Sequence, residues 1–180
     1  NYDCVVLLAG LVGDLITKKY PELSLKINDI GVKNVIDVSF ENSIEKLIFV
    51  STCSNYGLIK NDDLADENYP LGPISLYAKS KVKAEKYIMN YKNRSSNTSA
   101  TILRFATAFG ISNRMRFDLT VNEFVKDLEQ KKELIVYDAD TWRPYCHAKD
   151  FERLIKIMID SDVNKTSFEI FNVGSDNNNY

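Results

Sequence analysis

The stretch Lys46-Leu-Ile-Phe-Val-Ser-Thr-Cys-Ser-Asn-Tyr-Gly57, with Pro73-Ile-Ser-Leu-Tyr-Ala-Lys-Ser-Lys81 behind it, decides the fold. Lys46 to Val50 is a short apolar run that suits a strand buried on both faces, and the polar cluster Ser51 to Asn55 ends it. Residues 58–73 read as a polar loop with Pro70, Gly72 and Pro73. Ser75 is a natural N-cap for a helix over Leu76 to Tyr91, with Ala78, Val82, Ala84, Ile88 and Tyr91 as its buried positions. Ala100 to Phe105 is the next strand. Two strands separated by a helix of this length pair in parallel, not as a hairpin.

The same alternation continues on both sides. Val5 to Ala9 is a strand closed by Gly10, and Pro21 opens a helix over residues 21–42 that carries Leu23, Ile27, Ile30, Val35 and Ile36. A helix at Leu119 to Lys131 leads to a strand at Leu134 to Tyr137. A helix with Phe151, Leu154, Ile155 and Met158 precedes a last strand at Phe168 to Val173. The fold class is therefore α/β, a parallel sheet with helices on both faces.

The chain has 180 residues, the size of one domain or part of a larger one, and a net charge of −2 from 23 basic and 25 acidic residues. That balance argues against a nucleic-acid partner. The longest apolar run, Cys4 to Gly13, is about half of what spans a bilayer and follows no basic segment, so a membrane anchor is not expected and the cytoplasm is the expected compartment. Three cysteines without short metal spacing and a single histidine, His147, point to no metal site. The chain opens Asn1-Tyr2-Asp3 directly into an apolar strand, which reads as a fragment.

Ligands of open α/β sheets bind beyond the carboxyl ends of the strands. The residues there are Ala9 and Gly10, then Ser51, Thr52, Cys53, Ser54 and Tyr56, then Ala106, Thr107 and Gly110. Tyr77 and Lys81 lie four apart on one face of the helix that follows the second strand. A phenol of ordinary pKa about 10 is a poor base at neutral pH, but a neighbouring cation favours the phenolate. Such a tyrosinate could take the proton of a sugar or alcohol hydroxyl while hydride leaves for a nicotinamide cofactor, with Thr52 on the same oxygen. Tyrosine and lysine four apart are also common on surface helices. A second instance here, Tyr56 with Lys60, falls in a loop context and carries no such reading.

These residues resemble the extended short-chain dehydrogenase/reductase family, and within it the NAD-dependent epimerase/dehydratase branch that acts on nucleotide sugars. Further matches occur in family order: Asp3-Cys-Val-Val-Leu-Leu-Ala-Gly10, Asn28-Asp-Ile-Gly31, Asp66-Glu67, Leu103-Arg-Phe-Ala-Thr-Ala-Phe-Gly110, Arg143-Pro-Tyr-Cys-His-Ala-Lys-Asp150 and Phe171-Asn-Val-Gly174. The resemblance implies a partial Rossmann-type doubly wound sheet over residues 1–110, with segments of a small substrate-binding lobe in 111–180 interleaved with a returning helix and strand. It implies Tyr77 as acid/base, Lys81 as its partner and a holder of the nicotinamide ribose, and Thr52 as the catalytic hydroxyl. Ala9, Gly10 and Asn28 would line the cofactor, NAD with NADP left open. Thr107 and Arg143 would meet the nucleotide sugar, and His147 would be structural. A homodimer formed through the Tyr77-bearing helix is the family expectation.

The departures shape the reading. None of the seven glycines makes the Gly-x-Gly turn that cradles a pyrophosphate, so about two βαβ units, roughly 60 residues, and a C-terminal piece are expected outside these residues. Cys53-Ser54 stands where sugar dehydratases of the family carry Asp-Glu. Family members with a catalytic cysteine place it two residues before the tyrosine, whereas Cys53 is three before Tyr56. Thr107 replaces the Asn of many epimerases, and Leu7 stands where His is usual. The reading is a nucleotide-sugar epimerase; the alternatives are a dehydratase or NAD(P)H-dependent reductase of the family, or a non-catalytic remnant or interaction module.

Overall fold

The computed structural model describes residues 2–59, 63–94, 97–136 and 139–175. Its main sheet holds four parallel strands in the order β1 (Cys4–Leu7), β2 (Lys46–Thr52), β3 (Ser99–Phe105) and β6 (Glu169–Val173). A second, two-stranded parallel sheet pairs β4 (Thr107–Phe109) with β5 (Tyr145–His147). All seven residues of β3 are buried, as expected of the strand with neighbours on both edges and helices on both faces.

Alternation along the strands divides the core in two. Leu47, Phe49, Ala100 and Ile102 face α3 (Val32–Glu41) and α4 (Leu76–Met89), where Val32, Ile36, Phe40, Ala84 and Ile88 close over them. Ile48, Leu103, Phe105 and Val173 face the other way, against Phe151, Leu154, Ile155 and Met158 of α6 (Ala148–Asp160). Helices thus cover both faces, and the α/β doubly wound expectation holds.

Ser75 caps α4 as its sequence position suggests, its Oγ accepting the Ala78 N–H at 3.2 Å. The helix ends at Met89, two residues early; Tyr91 lies past its end and stacks on Phe40 with ring centroids 3.9 Å apart. The helix predicted over 21–42 is present but irregular: α2 (Pro21–Ser24) passes through a π-helical segment (Leu25–Gly31) into α3. The wider turn shifts the helix phase. Ser24, Asn28 and Val32 point inward, while Leu23, Ile30 and Val35, which suggested the helix, lie exposed. The strand expected at Leu134 to Tyr137 is not formed over 134–136, and Tyr137 lies outside the described residues. Ile135 and Val136 are exposed, with no strand beside them to complete a ladder.

Five short elements have no counterpart in the sequence reading. They are α1 (Asp14–Lys19), the 3₁₀ turn Cys53–Tyr56, the β4–β5 pair, and α7 (Val163–Thr166); α5 (Thr120–Glu129) is the helix expected at Leu119 to Lys131. Among the described residues no helix is long and apolar enough to cross a membrane.

Candidate active site

A small cavity opens at the carboxyl end of β1, lined by Ala9, Asn28, Val32, Phe49, Tyr77, Ser80 and Lys81. Four of the sequence candidates therefore meet there: Ala9 from the loop after β1, Asn28 from the π-helical segment, and Tyr77 with Lys81 from one face of α4. The parallel sheet explains the meeting, because it sets the loop after β1 and the start of α4 at the same end of the molecule.

Lys81 is 6% exposed. Its Nζ donates to the Val50 carbonyl at 2.6 Å and sits 4.6 Å from the Phe49 ring centroid and 5.7 Å from that of Tyr77. Burial pulls its pKa down to about 8, against the opposing pull of the Glu85 carboxylate. Burial likewise pushes the Tyr77 phenol up to about 12. The neighbouring Cys53 and Asp14 add to that rise, and Arg116 opposes it. The sequence reading expected the lysine cation to favour the phenolate. Here the ammonium turns to a strand carbonyl, and the phenol is held in its neutral form.

Thr52 ends β2 and is 8% exposed. Its Oγ1 accepts the Ser54 N–H at 3.2 Å and so caps the 3₁₀ turn that follows. Cys53, the next residue, has its thiol pushed up by burial and drawn down by Arg143, and it in turn adds to the rise of Tyr77. Thr107 and Arg143 are brought close by the small sheet. The Thr107 N–H donates to Pro144 O at 2.9 Å, and Thr107 pairs with Tyr145. Neither lines the cavity, and neither do Gly10 or Thr52.

Asn28 uses its whole amide on the protein. Oδ1 accepts the Leu11 N–H at 2.7 Å, and Nδ2 donates to Leu11 O at 2.9 Å and to Ser24 Oγ at 3.3 Å. It pins the loop after β1, and a Cβ on Gly10 would lie 3.3 Å from Oδ1. His147 accepts the Lys149 N–H at 3.2 Å through Nδ1 and caps α6, in keeping with a structural role. Arg116 escaped the sequence reading. It forms a two-point pair with Asp118 at 3.1 and 2.6 Å, its Nη2 lies 3.0 Å from where a Gly13 Cβ would stand, and its charge reaches Tyr77. No periodicity marks it, since it lies in the irregular segment between β4 and α5.

The model of the NAD dependent epimerase/dehydratase family matches residues 1–174. Among curated proteins, the N-acetyl-alpha-D-glucosaminyl-diphospho-ditrans,octacis-undecaprenol 4-epimerase of Escherichia coli O157:H7 is 28% identical over 173 residues, 96% of this chain and 49% of its own length. Among solved structures, UDP-glucose 4-epimerase of Thermotoga maritima, with UDP-glucose, superposes with a TM-score of 0.83 at 25% identity, covering 96% of this chain and 54% of its own. UDP-glucuronic acid 4-epimerase of Bacillus cereus, with UDP-glucuronic acid and NAD, shares the fold with a TM-score of 0.83 at 24% identity, over 96% of this chain and 54% of its own. The chain spans about half the length of the curated relatives it matches.

Proposed function

The chain belongs to the NAD dependent epimerase/dehydratase family, and from that premise we propose that it supplies the catalytic half of an NAD-dependent nucleotide-sugar epimerase. The observation that carries the reading is the meeting of Tyr77 and Lys81 in one cavity with Ala9, at the strand ends where ligands of such sheets bind. Cys53-Ser54, in place of an acidic pair, favours epimerisation over dehydration.

The lining suits the nicotinamide-ribose end of NAD in its chemistry, with an ammonium and a phenol beside the apolar Ala9, Val32 and Phe49, and the small cavity would have to widen around the cofactor. Lys81 and Tyr77 would hold the ribose, and Ala9 would border the ring. NAD, when bound, supplies a hydride acceptor that can return the hydride to either face of the sugar.

As phenolate, Tyr77 takes the proton of the sugar hydroxyl, and as phenol it later gives that proton back. With a pKa near 12 it does neither well at neutral pH, and lowering it to about 7 requires roughly 7 kcal/mol. The groups positioned to contribute are Lys81, once turned from Val50 O toward the phenol, and Arg116. A cationic nicotinamide adds to the same push. Thr52 orients the hydroxyl, and Arg143, exposed beside the 3₁₀ turn, offers a forked donor to a diphosphate.

The same reading proposes a homodimer formed through the Tyr77-bearing helix α4, where Leu76 is exposed. The deciding experiment for function is kinetic. In the natural full-length protein with NAD, and UDP-glucose and UDP-glucuronic acid as probes, Tyr77→Phe is expected to lower turnover about 10²- to 10⁴-fold. Turnover within a factor of two of the unsubstituted protein would remove the assignment.

A further inference from the structure

Directly beneath the candidate site, three strands place polar residues at one level of the sheet. Ser51 of β2 is in register with Arg104 of β3, and Arg104 with Asn172 of β6. A parallel sheet buried on both faces normally fills such positions with apolar side chains, yet Arg104 is 3% exposed and Ser51 2%.

Glu85 of α4, 2% exposed, joins them. Its Oε1 accepts from Ser51 Oγ at 2.5 Å and from Asn55 Nδ2 at 2.7 Å, and its Oε2 accepts from Arg104 Nη2 at 2.8 Å. Arg104 Nη1 then donates to the Tyr56 hydroxyl at 2.9 Å and to Glu67 O at 3.0 Å, and the Tyr56 hydroxyl donates to Asn172 Oδ1 at 2.6 Å. Glu67 Oε1 accepts the Asn172 N–H at 2.7 Å, which fastens the loop that leads into α4.

The placement of these bonds is specific. Ser51, Asn55 and Tyr56 bracket Thr52 and Cys53, and Glu85 follows Tyr77 and Lys81 at the same four-residue step on α4. One helix thus carries both the acid/base pair and the carboxylate that grips the turn opposite.

We propose that Glu85 and Arg104 are positioning residues: they lock the 51–56 turn, and with it the Thr52 hydroxyl, to the helix that presents Tyr77 and Lys81. The proposal rests on the reading of the site given above. Neither side chain touches the cavity, so both act through the turn. A buried pair held on both sides by further hydrogen bonds is a means of fixing geometry more than of adding stability.

The test compares two double variants of the natural full-length protein. Glu85→Gln with Arg104→Gln keeps an acceptor for Ser51 and Asn55. Ser51→Ala with Asn55→Leu leaves the ion pair intact and cuts the turn loose. In the second variant, amide hydrogen exchange over residues 53–57 is expected to quicken about tenfold while β3 and the middle of α4 keep their protection, and kcat on the UDP-sugar probes is expected to fall about tenfold at unchanged KM. The first variant, which keeps an acceptor for the turn but loses the Arg104 bonds to Tyr56 and Glu67, is expected to show both changes at about threefold, and both at the unsubstituted level would overturn the role given to Arg104. Exchange over 53–57 unchanged in the cut variant, or quickened equally across the whole sheet, overturns the proposal. Full turnover by Tyr77→Phe would sink the functional reading and leave this exchange pattern in place, so the two failures are distinguishable.

Discussion

Replacing Lys81 by methionine is expected to make the protein more stable and inactive. Buried with its ammonium against Phe49 and a single carbonyl partner, Lys81 has its pKa drawn from 10.5 to about 8. A displacement of that size means the charged form is disfavoured in the folded state by about 3 kcal/mol. Methionine of similar length fills the space without charge, at a loss of about 1 kcal/mol for the donor that Val50 O gives up. The expected net gain at pH 7, without cofactor, is about 2 kcal/mol, or roughly 4–8 °C in Tm.

The pH dependence tests the cause. Between about 8 and 10.5 the unfolded lysine holds its proton while the folded one has lost it, so the unsubstituted protein gains stability as pH rises through that window. The advantage of Lys81→Met should therefore be full below pH 8, cross zero at about 9.5 and reverse by about 1 kcal/mol at 10.5. Urea unfolding of both proteins at several pH values from 6 to 10 measures it. A substitution that destabilises at pH 7, or a difference that stays constant up to pH 10, would refute the reasoning.

Asn28→Ala should cost about 2–3 kcal/mol, since both polar groups of Leu11 lose their partner, and should weaken NAD binding by freeing the loop after β1; urea unfolding and NAD titration read the two effects. Gly57→Ala is expected to be among the most damaging changes. Gly57 has φ 71°, and its Cβ would stand 2.0 Å from Gly72 O, so a loss above about 3 kcal/mol, or no soluble protein, is expected on expression and thermal melting. Tyr77→Phe should lessen the stability loss seen above pH 10, because the folded phenol keeps its proton up to about 12 while the unfolded one ionises near 10, and Tyr56 and Tyr91, also raised, keep the rest of it; a pH series of thermal melts checks it.

The strands were legible because each apolar run is bounded by polar or turn-forming residues, and Ser75 announced α4. Tyr77 and Lys81 were legible because a four-residue step forces two side chains onto one helix face. Leu134 to Val136 misled for the opposite reason: three strand-forming residues make no strand without a neighbour. The π-helical phase shift was invisible to a reading built on 3.6 residues per turn; Asn28, assigned to the cofactor, does line the cavity, with its amide spent on Leu11 and Ser24. Glu85 and Arg104 were missed because charged residues read as surface. Their meeting depends on how α4 packs across β3, 19 positions further on, which no local pattern contains.

The π-helical segment amounts to one surplus residue spliced into an otherwise ordinary rod. Deleting a single residue on either side of Asn28 would let the turns close to the ordinary pitch and would break the four-residue step by which Ser24, Asn28 and Val32 share the inward face. The amide that tethers Leu11 would then aim away from it. Substitutions that favour a tidier helix there are thus expected to harm the site, and the flaw in the spiral is the part that natural variation should be least free to repair.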